Sequence, residues 1–158
     1  MFKVIDINNI LESLNKNPVM CYCSMPGACG PSGLCVAFFD DGSSYGYNTR
    51  FDNNQDLLRK IVEYIPELGA CGIGSAIEDS DSIKKRRLSH IGKMKCINLG
   101  LGNYVYLKQP LFIQLKKYAE QTKEMMFTVF RKYIETMGYD DLFTMWELVE
   151  NELNKDAV

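Results

Sequence analysis

The tetrapeptide Gly-Ala-Cys-Gly occurs twice in this chain, at positions 27–30 and again at 69–72. Each copy lies in a run of small residues, 26–33 and 69–75. Glycines on either side of a small residue and a thiol permit turns that a Cβ forbids, and they let the backbone come close to another chain or a ligand. Regular elements must therefore be arranged around two side-chain-poor bends. The two copies stand in different contexts, the first between strands and the second between helices, so they are not units of a solenoid.

The elements between the bends follow from periodicity. Asp6 can cap a helix whose Ile7, Ile10, Leu11 and Leu14 share one face, closed by Asn17-Pro18. Val19 to Ser24 and Leu34 to Phe39 read as strands joined by the first glycine loop. Asp41-Gly42 signals a hairpin leading to a third strand from Ser44 to Thr49, which completes an antiparallel meander. Asp52 or Asn53 can cap a second helix with Leu57, Leu58, Ile61, Val62 and Ile65 inward and Pro66 closing it. Ser75 and Glu78 stand in capping-box spacing after the second glycine loop. Lys93 to Asn98 and Asn103 to Lys108 form a second hairpin. Pro110 opens a long helix to about Met137, with Gly138 as its stop. Its expected inward stripe is Leu111, Leu115, Tyr118, Thr122, Met126, Val129 and Tyr133. Asp140 caps a last helix with Leu142, Trp146, Val149 and Leu153 inward.

These elements predict an α+β fold: antiparallel hairpins and a meander, covered on one face by the long C-terminal helix and its partner helix, and packed against additional helices. The expected organisation is one compact domain over 1–153 with a frayed tail over 154–158. A straight helix over 110–137 would span roughly 42 Å, more than a small core needs. That length suggests a homodimer formed through it, or else a helix kinked or broken in two.

Composition narrows the function classes. Eighteen Lys and Arg against twenty Asp and Glu give a net charge of −2, so no global basic field favours nucleic acid as a partner. No apolar run is long enough for a membrane span, and the N-terminus lacks the hydrophobic stretch of a signal peptide. The expectation is a cytoplasmic protein whose six cysteines are reduced thiols.

The leading candidate site joins the second glycine loop to the basic run that follows it. Gly72, Gly74 and Ser75 ahead of a helix start would aim free N–H groups at an anion. Lys84, Lys85, Arg86, Arg87, His90, Lys93 and Lys95 then form a run with no acidic residue between 83 and 95. The segment is neither a Walker loop nor a dinucleotide fingerprint, and a tight connector before a solvated basic face is the plain alternative. Tyr45 and Tyr47 share one strand face, where they can stack a planar base, with Arg50 nearby for a carboxylate or phosphate. The alternative is a pair of tyrosines covering a sheet edge.

Cys21 and Cys23 share a strand face, but the intervals among Cys21, Cys23, Cys29 and Cys35 do not fit zinc-ligand spacing, so no metal and no cofactor is expected. Cys29 or Cys71 in a glycine turn could be a nucleophile with His90 as its base. The expected function is a non-catalytic module that binds a small anionic, nucleotide-derived ligand and acts by sequestration or sensing. The alternatives are a cysteine-dependent enzyme using that Cys–His pair, and a protein–protein adaptor or inhibitor acting through the C-terminal helices.

Overall fold

The computed structural model of the chain describes residues 2–6, 10, 16–24, 34–48, 54–69, 73, 77, 93–100, 103–140 and 142–144. Its centre is a six-stranded mixed sheet built from β1 (Lys3–Val4), β2 (Pro18–Ser24), β3 (Leu34–Phe39), β4 (Ser44–Asn48), β5 (Met94–Gly100) and β6 (Asn103–Lys108). The spatial order is β1-β4-β3-β2-β6-β5. All neighbours are antiparallel except β1, which runs parallel to β4. The expected meander and second hairpin are both present, and β2 joins them by pairing with β3 on one side and β6 on the other.

The α+β class is observed: the two C-terminal helices cover one face of the sheet as expected, and two earlier helices cover the other. β2 and β3 are apolar at nearly every position rather than at alternate ones, and that pattern belongs to strands buried on two sides. Cys21, Cys23, Cys35, Ala37, Phe39, Tyr45 and Tyr47 point to one face and form a core with α1 (Gln55–Tyr64) and α2 (Pro66–Gly69). Met20, Tyr22, Val36, Phe38, Val105 and Leu107 point to the other and meet α3 (Gln109–Thr122) and α4 (Met126–Met137).

Helix α1 begins one residue later than expected. Asn54 is its N-cap, and the side chain accepts a hydrogen bond from the Leu57 N–H at 3.2 Å. Leu57, Leu58, Ile61, Val62 and Ile65 are all buried, as the periodicity predicts. Pro66 then opens α2 as well as closing α1, since a helix's first position needs no N–H.

The long C-terminal helix is two helices. Lys123 adopts a left-handed conformation (φ 56°, ψ 31°) and ends α3, and α4 starts afresh at Met126 and stops at Gly138 (φ 75°). The break removes the length argument for a second copy and re-phases the stripe. Leu111, Leu115 and Ala119 are buried in α3, and Val129, Phe130 and Ile134 in α4, whereas Tyr118 and Thr122 are exposed. The Tyr139 hydroxyl donates to the Phe39 carbonyl and its ring packs edge-on against Phe38 with centroids 5.0 Å apart, which ties the chain beyond α4 to the central strands. Among the described residues, no helix is long and apolar enough to cross a membrane.

Candidate functional site

Among the described residues, a concave feature with convergent polar groups lies at one end of the sheet, where α2, the start of β5, the end of β6 and the start of α3 meet. It is a cleft of about 350 Å³ lined, among the described residues, by Glu67, Lys93, Met94, Lys108, Gln109 and Pro110. That volume is at the small end of the range for metabolite sites. The sheet register sets the arrangement: Met94 pairs with Lys108, so the start of β5 and the end of β6 share one rim. Lys108 lies in phase with Tyr106 on the face that carries α1 and α2, which directs its side chain toward α2.

There Lys108 Nζ meets Glu67 Oε1 at 2.9 Å, with the glutamate side chain 10% exposed and the lysine side chain one third exposed. Glu67 Oε2 is buried and has no hydrogen-bond partner among the described residues. An unmatched buried acceptor of this kind forfeits its hydration without recompense. Beneath them Cys21 is fully buried; desolvation first, then the Glu67 charge, pushes its thiol well above the ordinary range, while Lys108 acts in the opposite sense.

The rim is cationic. Glu67 offsets one of the two lysines, leaving Lys93 uncompensated among the lining residues. Helix α3 adds its positive end: Lys108 is its N-cap in an extended conformation, no side chain caps the first turn, and Pro110 removes one N–H there. The cleft can therefore hold an anion at the lysines and helix end.

Most sequence-expected site residues lie outside the described residues: Cys29, Cys71, His90, Gly72, Gly74, Ser75, Lys84, Lys85, Arg86, Arg87 and Arg50. The described flanks do converge. Glu67 stands just ahead of the second Gly-Ala-Cys-Gly run and Lys93 near the end of the basic run, and both line this cleft. The first glycine run departs elsewhere. Ser24 and Leu34, which bracket it, pair with each other at the Asn103 end of β2 and β6, opposite the Lys108 end.

The tyrosine platform is corrected. Tyr45 and Tyr47 are 4% and 3% exposed within the core that includes α1, so neither ring is open to a base. β4 is not a sheet edge, because β1 pairs outside it. The Tyr45 hydroxyl accepts from Lys16 Nζ at 3.1 Å, and Lys16 also reaches Ser43 Oγ at 3.1 Å and Asp41 at 3.3 Å. Cys21, Cys23 and Cys35 are buried thiols outside any disulfide, and Cys96 is exposed. Among the described residues no group of three or more His, Cys, Asp or Glu could hold a metal ion.

The sequence reading missed Glu67, Lys108 and the start of α3. Pro66-Glu67 before a glycine run could have flagged a short helix carrying an acid into a bend. No spacing rule pairs residue 67 with residue 108; the sheet register does. Compared with protein-family models, with curated proteins and with solved structures, the chain matches none of them.

Proposed function

We propose that this protein is a non-catalytic module that binds a small anionic, nucleotide-derived ligand in the cleft between α2 and the β5–β6 hairpin, and that it acts by sequestration or sensing. One observation carries the reading: Lys93, uncompensated among the described lining residues, the paired Lys108 and the uncapped start of α3 line a single cleft bordered by Glu67, at the point where the second glycine run departs and the basic run arrives. Lys84 to Arg87 belong to that run and are assigned to the same ligand as added positive charge.

The test is calorimetric titration with inorganic phosphate and a panel of mononucleotides. Lys93→Ala removes one charge-assisted contact and should weaken binding by about tenfold. Alanine substitution across Lys84 to Arg87 should weaken it further and flatten its salt dependence. A ligand whose affinity is unchanged in both variants binds elsewhere and overturns this site.

A second reading is favoured by the helical layer. Among the described residues, four of the six exposed large apolar side chains, Ile113, Tyr118, Met125 and Phe127, lie in or between α3 and α4. Such a cluster suits a macromolecular partner, a second copy included. Light scattering of the purified chain, repeated with Tyr118→Ser and Phe127→Ser, tests it; a monomer that recruits nothing before or after substitution removes this reading.

A further inference from the structure

Cys23 and Cys35 face each other across β2 and β3, and the hydrogen-bond phase of the sheet fixes how closely. In an antiparallel pair, facing residues alternate between those that exchange both backbone bonds and those that exchange none, and the latter bring their side chains nearer. The Phe39 N–H donates to the Ser43 carbonyl at 2.9 Å, on the β4 side, whereas the Asp40 N–H donates to the Asn17 carbonyl at 3.0 Å, on the β2 side. The β3–β4 register runs without a shift from Phe38 facing Ser44 to Leu34 facing Asn48. Steps of two back from Phe39 therefore turn the backbone groups of Ala37 and Cys35 toward β4, and those of Val36 and Leu34 toward β2. The irregularity in the β2–β3 register lies between Pro18 and Met20, away from Cys23. Cys23 and Cys35 are thus a non-hydrogen-bonded pair, with Cα atoms about 4.5 Å apart. That separation falls inside the window of about 4.4–6.8 Å that a disulfide spans.

The same register excludes the third thiol on this face. Cys21 faces Ala37 and is only diagonal to Cys35, where Cα atoms stand about 7–8 Å apart. All three cysteines are fully buried in the core that carries α1 and α2.

We infer that Cys23 and Cys35 are a redox modification site: a small disulfide oxidant of the glutathione class converts them to a cross-strand disulfide that ties together the two strands flanking the first glycine run. Two exchanges make the bond. One cysteine thiolate attacks a sulfur of the oxidant, whose S–S bond breaks to release one thiol and leave a mixed disulfide. The second cysteine thiolate attacks the cysteine sulfur of that mixed disulfide and releases the second thiol. Two electrons pass from the cysteines to the oxidant, and the two cysteine protons end on the released thiols. Burial keeps the oxidant from the finished sheet, so the exchange runs on the folding chain while β2 and β3 are uncovered. Burial then shields the bond from reductant, and the oxidation state records the redox poise in which the chain folded. The site is independent of the anion cleft.

The experiment refolds the reduced full chain from urea in mixtures of reduced and oxidised glutathione, blocks remaining thiols in denaturant, and maps them by fragmenting the tryptic peptide 17–50, which carries Cys21, Cys23, Cys29 and Cys35. Cys23 and Cys35 should be protected while Cys21 and Cys29 are labelled. The equilibrium constant for closing the bond should be about a hundredfold larger in the folded chain than in urea, as the short loop 23–35 implies. Cys21→Ala should leave that ratio unchanged, and Cys35→Ala should leave Cys23 labelled. Thermal transitions check that both variants fold, and the wild-type ratio and map stand without them. A ratio at or below one overturns the inference. So does protection that falls on Cys21 or Cys29, or a folded chain whose Cys23 and Cys35 stay labelled at every glutathione mixture.

Discussion

Gly46 is the position where the packing gives the sharpest quantitative expectation. It lies on β4 opposite Val4 of β1 and Val36 of β3. A Cβ built there would stand 2.7 Å from Phe2 Cδ2, 2.9 Å from Val36 Cγ2 and 3.0 Å from Phe2 Cε2. Ordinary carbon contacts begin near 3.5 Å, so all three lie on the repulsive wall. Val36 is 2% exposed on a strand held on both sides and cannot yield. Phe2 can swing away only by uncovering the face it protects. Overpacking of this kind costs about 2–3 kcal/mol, near the top of its usual range because two side chains are met. Replacing a strand glycine with alanine returns about 0.5–1 kcal/mol of backbone entropy. Gly46→Ala should therefore destabilise by about 1–2.5 kcal/mol, or about 2–10 °C in Tm for a chain of this size. The assay is thermal and urea unfolding of Gly46→Ala, Phe2→Ala and the double variant. Phe2→Ala removes two of the three close contacts, so the alanine should cost at most about 1 kcal/mol in that background, a non-additivity that marks direct contact. A neutral or stabilising Gly46→Ala, or an equal loss with and without Phe2, refutes the reasoning.

Three further outcomes are expected. Tyr139→Phe removes the hydroxyl donor to the Phe39 carbonyl, which still accepts from the Gly42 N–H at 3.1 Å, and should cost about 0.5–1.5 kcal/mol in urea unfolding; an unchanged midpoint would show that the bond contributes nothing net. The Ser43 hydroxyl and N–H, at 2.5 and 2.9 Å, and Lys16 beyond them hold the Asp41 carboxyl below its ordinary value. The native state therefore binds that proton less readily than the unfolded chain, so the contribution is complete above an unfolded pKa of about 3.9 and is lost as pH falls through the lower native value. Asp41 is half exposed, so Asp41→Asn should cost less than about 1 kcal/mol at pH 7, and the difference from wild type should shrink as pH falls below the unfolded value; a difference that grows on acidification would reverse the sign. Native alkylation followed by peptide mapping should label Cys96 well before Cys21, Cys23 and Cys35, which react only on unfolding. If Cys29 or Cys71 outpaces Cys96 by orders of magnitude, the cysteine-enzyme reading returns.

Much of the fold was legible because it is local. The strands at Leu34–Phe39 and Asn103–Lys108 fall where composition and turn signals put them, and α1 buries its expected face. The break at Lys123 was not legible, because Thr122-Lys123-Glu124 contains no proline or glycine and the αL residue is a lysine. Folding α4 back over the sheet outweighs the local cost of that conformation. The second helical layer was legible too: β2 and β3 have no polar phase. The candidate site was half legible. Glycine run and basic run named the right neighbourhood, but the acid–lysine pair at its centre joins residues that only sheet register brings together.

The seam between β2 and β6 gives the molecule a late-closing edge. Ser24 and Asn103 lie roughly 80 residues apart, so their pairing waits on a long loop closure that the meander and the second hairpin do not require. Among the described residues, the Glu67–Lys108 pair fastens the same two portions of chain from the side. A guest seated against both would act as a rivet across that seam. Its residence would be felt first as slowed detachment of the terminal hairpin, so amide exchange in β5 and β6 becomes a gauge of occupancy before any chemistry is known.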